Sequence, residues 1–233
     1  MIARAFLRAL DQLFDPSFRK VFFIGIIGAA AVFAALLFLL VGMMPEGIQI
    51  SDWEWLNDSL NWIAGFAIYP AYFLVGWFLF PAIATMFMGI FLDDIVDAVE
   101  AKHYEGYEAP RRLSAYESFM AAVRMGLMVI FYNLLALPLY VILLFTAVGP
   151  FILYVVLNGF LLGREYFELV ALRHFSAPEA KRLRRAMRDR AFLGGVVITL
   201  LYIVPIVNLA APLLGAAMMV HIFHRGREDR IQP

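Results

Sequence analysis

The sequence predicts an all-α integral membrane protein, built from two long transmembrane helices, two partly inserted helical hairpins and amphipathic surface helices. Three observations carry that reading. Of the 233 residues, 63% are hydrophobic and only 16% are charged, against roughly half and a quarter in an average soluble domain. The apolar residues fall into four long stretches, residues 21–44, 60–92, 125–163 and 191–223, each at or beyond the ~20 residues that cross a bilayer. Lys and Arg are distributed unevenly about those stretches, and this bias sets topology. The balance of 19 cations and 19 anions implies no nucleic-acid partner. Without cysteine there is no disulfide framework, thiolate metal site or Cys nucleophile.

Residues 1–14 set Ile2, Phe6, Leu7, Leu10, Leu13 and Phe14 against Arg4, Arg8, Asp11 and Gln12. That is a helical period with a basic polar face, as in a short helix lying in the membrane interface. The apolar run that follows is too long for the h-region of a cleavable signal, so it reads as a first spanning helix over 18–44. Gly25, Gly28 and Ala29–Ala31 give it a smooth face for close packing. The loop from Pro45 to Asp58 contains Glu46, Asp52, Glu54 and Asp58 but no Lys or Arg, and Trp53, Trp55 and Trp62 lie in or beside it. It is therefore expected on the outer side. Leu60–Leu92, interrupted by Pro70 and Pro81, gives a second spanning helix that continues into Asp93–Lys102, so the helix covers 60–102.

The segment from Asp93 to Arg124 mixes both signs and reads as cytoplasmic. Arg164–Arg190 is the most basic segment, and further cations follow the fourth stretch at Arg225, Arg227 and Arg230. The third and fourth stretches thus have cations at both ends, which places both ends in the cytoplasm. Such a segment must turn back. With turns at Pro138, Gly149-Pro150 and Pro205–Pro212, the arms hold 11 to 14 residues, about 17–21 Å of helix against a core of about 30 Å. Residues 125–163 and 191–223 are accordingly expected as re-entrant hairpins, the first reaching deeper if Leu139–Gly149 extends it. A basic surface helix over 174–190, with Leu183, Met187 and Phe192 on its apolar side, would lie on anionic lipid. These elements form one membrane domain over 1–233, multi-pass, with both termini in the cytoplasm.

Four constellations could carry chemistry. Asp15-Pro16-Ser17-Phe18-Arg19-Lys20 places a turn, a hydroxyl and two cations at a helix start. Free N–H groups and the helix dipole favour an anion there, though the same cations would serve as an orientation signal. Asp93, Asp94 and Asp97, with Glu100 a turn later, match a pattern that holds Mg²⁺-diphosphate in prenyl-transfer enzymes. A membrane-bound Mg²⁺-dependent prenyltransferase is one alternative; the simpler reading is the solvated end of a helix. Arg164 and Glu168, at i and i+4, pair at the end of the first hairpin. They and Arg111–Arg112 are candidates for an anion route or for structural ion pairs. His221 and His224 share a helix face, yet no third ligand is evident, so interfacial histidines and no metal are expected. No Walker loop, dinucleotide fingerprint or Ser-His-Asp arrangement is present.

Asn158-Gly-Phe-Leu-Leu-Gly-Arg164-Glu165-Tyr166-Phe167-Glu168, the basic helix up to Arg190, and Val204-Pro205-Ile-Val-Asn208-Leu209-Ala-Ala-Pro212 resemble the CysZ sulfate permeases of the etoposide-induced-protein superfamily. With the Asp15–Lys20 junction, the resemblance covers nearly the whole chain. It implies a non-enzymatic sulfate channel or permease of the bacterial inner membrane, supplying sulfate for cysteine biosynthesis. It also implies a homo-oligomer, dimer or larger, with sulfate and membrane lipids as partners and no cofactor. In that family an anion-binding turn of Gly-Leu-Arg-Arg type opens the first spanning helix, and the matching positions here are Ser17, Phe18, Arg19 and Lys20. Ser17 in place of glycine restricts positive φ but adds a hydroxyl donor. Lys20 in place of arginine keeps the charge and loses the bidentate fork. A non-transporting membrane-organising protein is the remaining alternative.

Overall fold

Apolar length and the chemistry of the helix ends decide where each element starts and stops. A computed structural model describes residues 1–42, 52–104 and 114–231. Among the described residues there are nine α-helices and no strand, so the protein is an all-α membrane protein. They are α1 (Ile2–Asp11), α2 (Pro16–Gly42), α3 (Glu54–Ile90), α4 (Leu92–His103), α5 (Ala115–Leu143), α6 (Gly149–Ala171), α7 (Ala177–Ala186), α8 (Arg188–Ile203) and α9 (Val207–Ile231). By length and composition four are able to cross a membrane, over Pro16–Leu39, Glu54–Ile90, Phe119–Leu143 and Val207–Glu228. Although read from sequence as one domain, the chain forms two compact units, one of residues 1–20 with 91–233 and one of residues 21–90.

In the 21–90 unit the smooth face of α2 meets α3. A Cβ on Gly25 would lie 2.5 Å from the Met88 side chain, and one on Gly28 2.9 Å from the Phe87 ring, so these two glycines are what allows the close approach. Ala29 and Ala84 are fully buried. Further along, Phe33 packs edge-on against Tyr72 and tilted against Phe80, and the Tyr72 hydroxyl donates to the Phe33 carbonyl. The long second helix begins at Glu54 and contains Pro70 and Pro81. It does not continue to residue 102 as expected: it stops at Ile90, Phe91 leaves helical geometry (φ −107, ψ 12), and α4 starts afresh. Asp93 and Asp94 then fall in a first turn, where free N–H groups and the positive helix end favour carboxylates.

The other unit is organised around α9. From Leu213 to His224 every residue is buried, and α9 packs against α1, α4, α6 and α8. Of its membrane-length window 78% is buried inside the protein, whereas the corresponding window of α5 is 6% buried. The two apolar helices therefore serve different ends: α9 is a core, and α5 presents Phe131, Leu134 and Ile142 outward. The α6–α8 contact is backbone on backbone. Gly159 and Gly163, a small-xxx-small pair, face Ala191 and Gly195, and a Cβ on Gly195 would overlap the Gly159 carbonyl oxygen.

Both hairpins have longer arms than the 11 to 14 residues expected. The arms of the first are α5, with 29 residues, and α6, with 23. Pro138 lies inside α5, because a membrane helix can absorb the loss of one N–H when apolar residues continue on both sides. The turn comes instead at Thr146, whose hydroxyl donates to the Leu143 carbonyl (2.7 Å) and accepts from the Gly149 N–H (3.0 Å), closing one helix and opening the next. The second hairpin turns at Val204–Ile206, Pro205 lying in the turn and Ile206 adopting φ 69. Pro212 sits inside α9 rather than ending it, so the arms are α8 with 16 residues and α9 with 25. The basic surface helix narrows to α7, opened by a Ser176–Glu179 capping box. It breaks at Met187, which is buried beneath it.

Candidate functional site

The Asp15–Lys20 junction is the start of α2. Gln12–Phe14 forms a single 3-10 turn, Asp15 is extended (φ −68, ψ 144), and its carbonyl accepts the first helical bond from the Arg19 N–H at 3.0 Å. Pro16 is the first helical residue, where an absent N–H costs nothing. Phe18 is buried to 1% exposure and pins the turn, while Ser17, Arg19 and Lys20 face outward. Asp15, the nearest acid in the sequence, is taken by Lys102 of α4, whose Nζ lies 2.9 and 3.0 Å from the two carboxylate oxygens. Among the described residues Arg19 and Lys20 make no ion pair, so their charge stays uncompensated at a positive helix end.

A second cationic cluster lies where α5, α6 and α7 meet. Arg164 and Glu168 form the expected i, i+4 pair, Nε to Oε1 2.9 Å, and Arg184 of α7 adds a second cation 3.3 Å from the same oxygen. Burial, and after it the Arg164 charge, lower the Arg184 pKa. A cavity of about 610 Å³ adjoins the cluster, with Arg124, Arg164 and Lys181 on its wall beside Glu117 and Glu168. Arg111 and Arg112 lie outside the described residues.

Two of the α4 aspartates are engaged by a neighbouring cation. Arg173, at the end of α6 and 9% exposed, donates to Asp93 at 3.0 Å and to Asp97. Two of the three carboxylates of the motif are thereby held in ion pairs by a nearly buried guanidinium. The fourth acid that the sequence grouped with them, Glu100, faces a different neighbour. Its Oε1 accepts from His174 Nε2 at 2.8 Å and from His224 Nε2 at 2.9 Å. Burial pushes the Glu100 carboxyl up, but the two imidazole hydrogen bonds outweigh it and bring the pKa down to about 2. His221 and His224 are both fully buried inside the protein. Nothing in the spacing of residues 100, 174 and 224 announces that they converge; only the packing of α9 against α4 and α6 brings them together.

The folded chain is thus a multi-pass, all-α membrane protein whose charged clusters gather at helix ends. Its particular kind is given by a family model described as "Sulfate transporter CysZ/Etoposide-induced protein 2.4", which matches residues 5–212, and the chain belongs to that family. No curated protein matches it. Membership makes it a sulfate-transporter-like membrane protein, and a transporter family is compatible with the non-enzymatic reading.

Proposed function

We propose that the protein is an inner-membrane sulfate uptake protein, a channel or permease supplying sulfate for cysteine biosynthesis, and that it captures the anion at the start of α2. The observation that carries this reading is the uncompensated pair Arg19–Lys20 near the start of α2, next to an Asp15 already neutralised by Lys102. A sulfate dianion there would take hydrogen bonds from the Ser17 and Phe18 N–H groups and the Ser17 hydroxyl, and charge from Arg19 and Lys20. Capture must remain weak enough for release, which an exposed site with one arginine fork and one lysine point charge suits. In this reading the Arg164–Glu168–Arg184 cluster and the adjoining cavity continue the anion route.

In this reading the basic ends of the helices and both termini lie in the cytoplasm. The α8–α9 hairpin inserts in part, the α5–α6 hairpin with its longer arms reaches deeper, and the outward surface of α5 meets lipid or a second copy in a homo-oligomer. The test is sulfate binding to purified wild type and to the Arg19→Ala/Lys20→Ala variant, both with intact helicity. Loss of affinity in the variant supports the site, and unchanged affinity removes it. Radiolabelled sulfate flux into proteoliposomes decides transport itself.

A further inference from the structure

The chain has four histidines, and all of them gather in one place. The rings of His103 and His221 lie 5.2 Å apart and those of His174 and His224 5.5 Å apart. Tyr104 stacks on His224 at 4.2 Å, and its hydroxyl is 2.8 Å from His221 Nδ1. Four histidines scattered over residues 103 to 224 would not meet at random in a chain this apolar. At the centre is Glu100. Its carboxylate oxygen and the Nε2 atoms of His174 and His224 all lie within 4.8 Å of one another.

We propose that Glu100, His174 and His224 form a binding site for a divalent first-row transition metal of the Zn²⁺ class. Two imidazole nitrogens and one carboxylate oxygen are the donors that Zn²⁺ uses at 2.0–2.2 Å, usually with a fourth position for water. Ligand atoms around such an ion stand a little over 3 Å apart, so the 2.8 and 2.9 Å hydrogen bonds need open by only about half an ångström to admit it. Mg²⁺ and Ca²⁺ require more oxygen ligands than this cluster offers. The side chains of His174, His224 and Glu100 are 5%, 0% and 12% exposed, so the ion is held away from bulk water.

Ring stacking orients the two imidazoles. Phe223 stacks on His174 (22° between planes) and Tyr104 on His224 (19°), while the adjacent Arg173 is anchored by Asp93 and Asp97. The three ligands come from α4, the turn after α6, and α9. A bound ion therefore ties the core helix to the two elements that carry the ion pairs, and its effect is structural.

The inference stands independently of the sulfate reading. Its test uses the full-length protein purified in detergent with a histidine-free tag, stripped with EDTA and then titrated with Zn²⁺. The expected result is one equivalent retained per chain after gel filtration, a raised melting temperature, and a tetrahedral visible spectrum with Co²⁺. Glu100→Gln and His174→Gln should each weaken Zn²⁺ binding by at least about 10- to 100-fold, while His103→Gln, outside the ligand set, should change it less than about threefold. Retention of less than half an equivalent by the wild type, or unaltered affinity in both ligand variants, overturns the proposal. Should both variants fail to fold, the wild-type Co²⁺ spectrum decides: an octahedral spectrum, or none, overturns it.

Discussion

The α6–α8 contact makes the sharpest stability prediction, because neighbouring glycines of α8 face different obstacles. A Cβ on Gly194 meets the Ile222 Cδ1 at 2.9 Å and the Met219 Cε at 3.1 Å, both ends of flexible side chains. A Cβ on Gly195 overlaps the Gly159 carbonyl oxygen and the Gly163 amide nitrogen and lies 2.6 Å from Gly163 Cα. Ordinary carbon contacts are about 3.5–4.0 Å, so α6 and α8 would have to part by about 1 Å, a gap that forfeits up to half the attraction of each contact across it. Overpacking costs about 1–3 kcal/mol, and backbone that cannot rotate aside puts Gly195→Ala at the upper end. Replacing glycine by alanine inside a helix returns about 1 kcal/mol. The net expectation is a loss of about 2 kcal/mol for Gly195→Ala, or about 4–8 °C in Tm for a chain of this size. For Gly194→Ala the two terms nearly cancel, to within about 0.5 kcal/mol. Thermal unfolding in detergent, followed by circular dichroism and by loss of the monodisperse peak, measures both. A Gly195→Ala protein as stable as wild type, or a Gly194→Ala protein equally damaged, would refute the backbone-contact argument.

Arg173→Met removes a guanidinium 9% exposed, but its partners Asp93 and Asp97 are 66% and 57% exposed and remain hydrated. The loss should be about 1–2 kcal/mol rather than the 3–5 of a fully buried pair, and a drop above about 4 kcal/mol in the same melting assay would contradict that estimate. Ile206 holds φ 69 while 80% exposed, so Ile206→Gly relieves left-handed strain with little packing lost and should raise stability by up to about 1 kcal/mol. Asp15→Asn takes a carboxylate away from the start of α2 and frees Lys102. If sulfate binds there, affinity should rise about two- to fivefold, as expected for ~0.3–1 kcal/mol at a helix end, and isothermal titration showing weaker binding would count against that site.

Much of this architecture is written in local sequence, because length and composition act locally. The four apolar stretches, the Gly25–Gly28 face and the Arg164–Glu168 pair all depend on residues within a turn or two of each other. The hairpin arms are longer than their prolines suggest, because proline ends helices less readily inside an apolar run than in water. Inside an apolar run, Pro138 and Pro212 take one N–H each from helices that continue past them, whereas Thr146 and the Pro205–Ile206 pair make the turns. The Gly159-x-x-x-Gly163 spacing was a legible signal for the α6–α8 crossing. Arg173 carried no such signal, because its partners stand some 80 positions away in the chain, as the contact to Asp93 shows.

The charges of α4 illustrate why a motif can mislead. Asp93, Asp97, Glu100 and Lys102 look like an exposed acidic cluster followed by a cation, but all four are committed to other elements: the first two to Arg173, Glu100 to His174 and His224, and Lys102 to Asp15. One short helix thus ties together the start of α2, the end of α6 and the core helix α9. That arrangement engages two of the carboxylates a diphosphate enzyme would use. It also pairs Asp15 with Lys102 rather than with Arg19 or Lys20. The Lys102–Asp15 pair is separate from the Arg173 pairs, and Lys102→Ala tests it alone. Releasing Asp15 should let it compete at the head of α2 and weaken sulfate binding, by a factor similar to the gain expected for Asp15→Asn and of opposite sign.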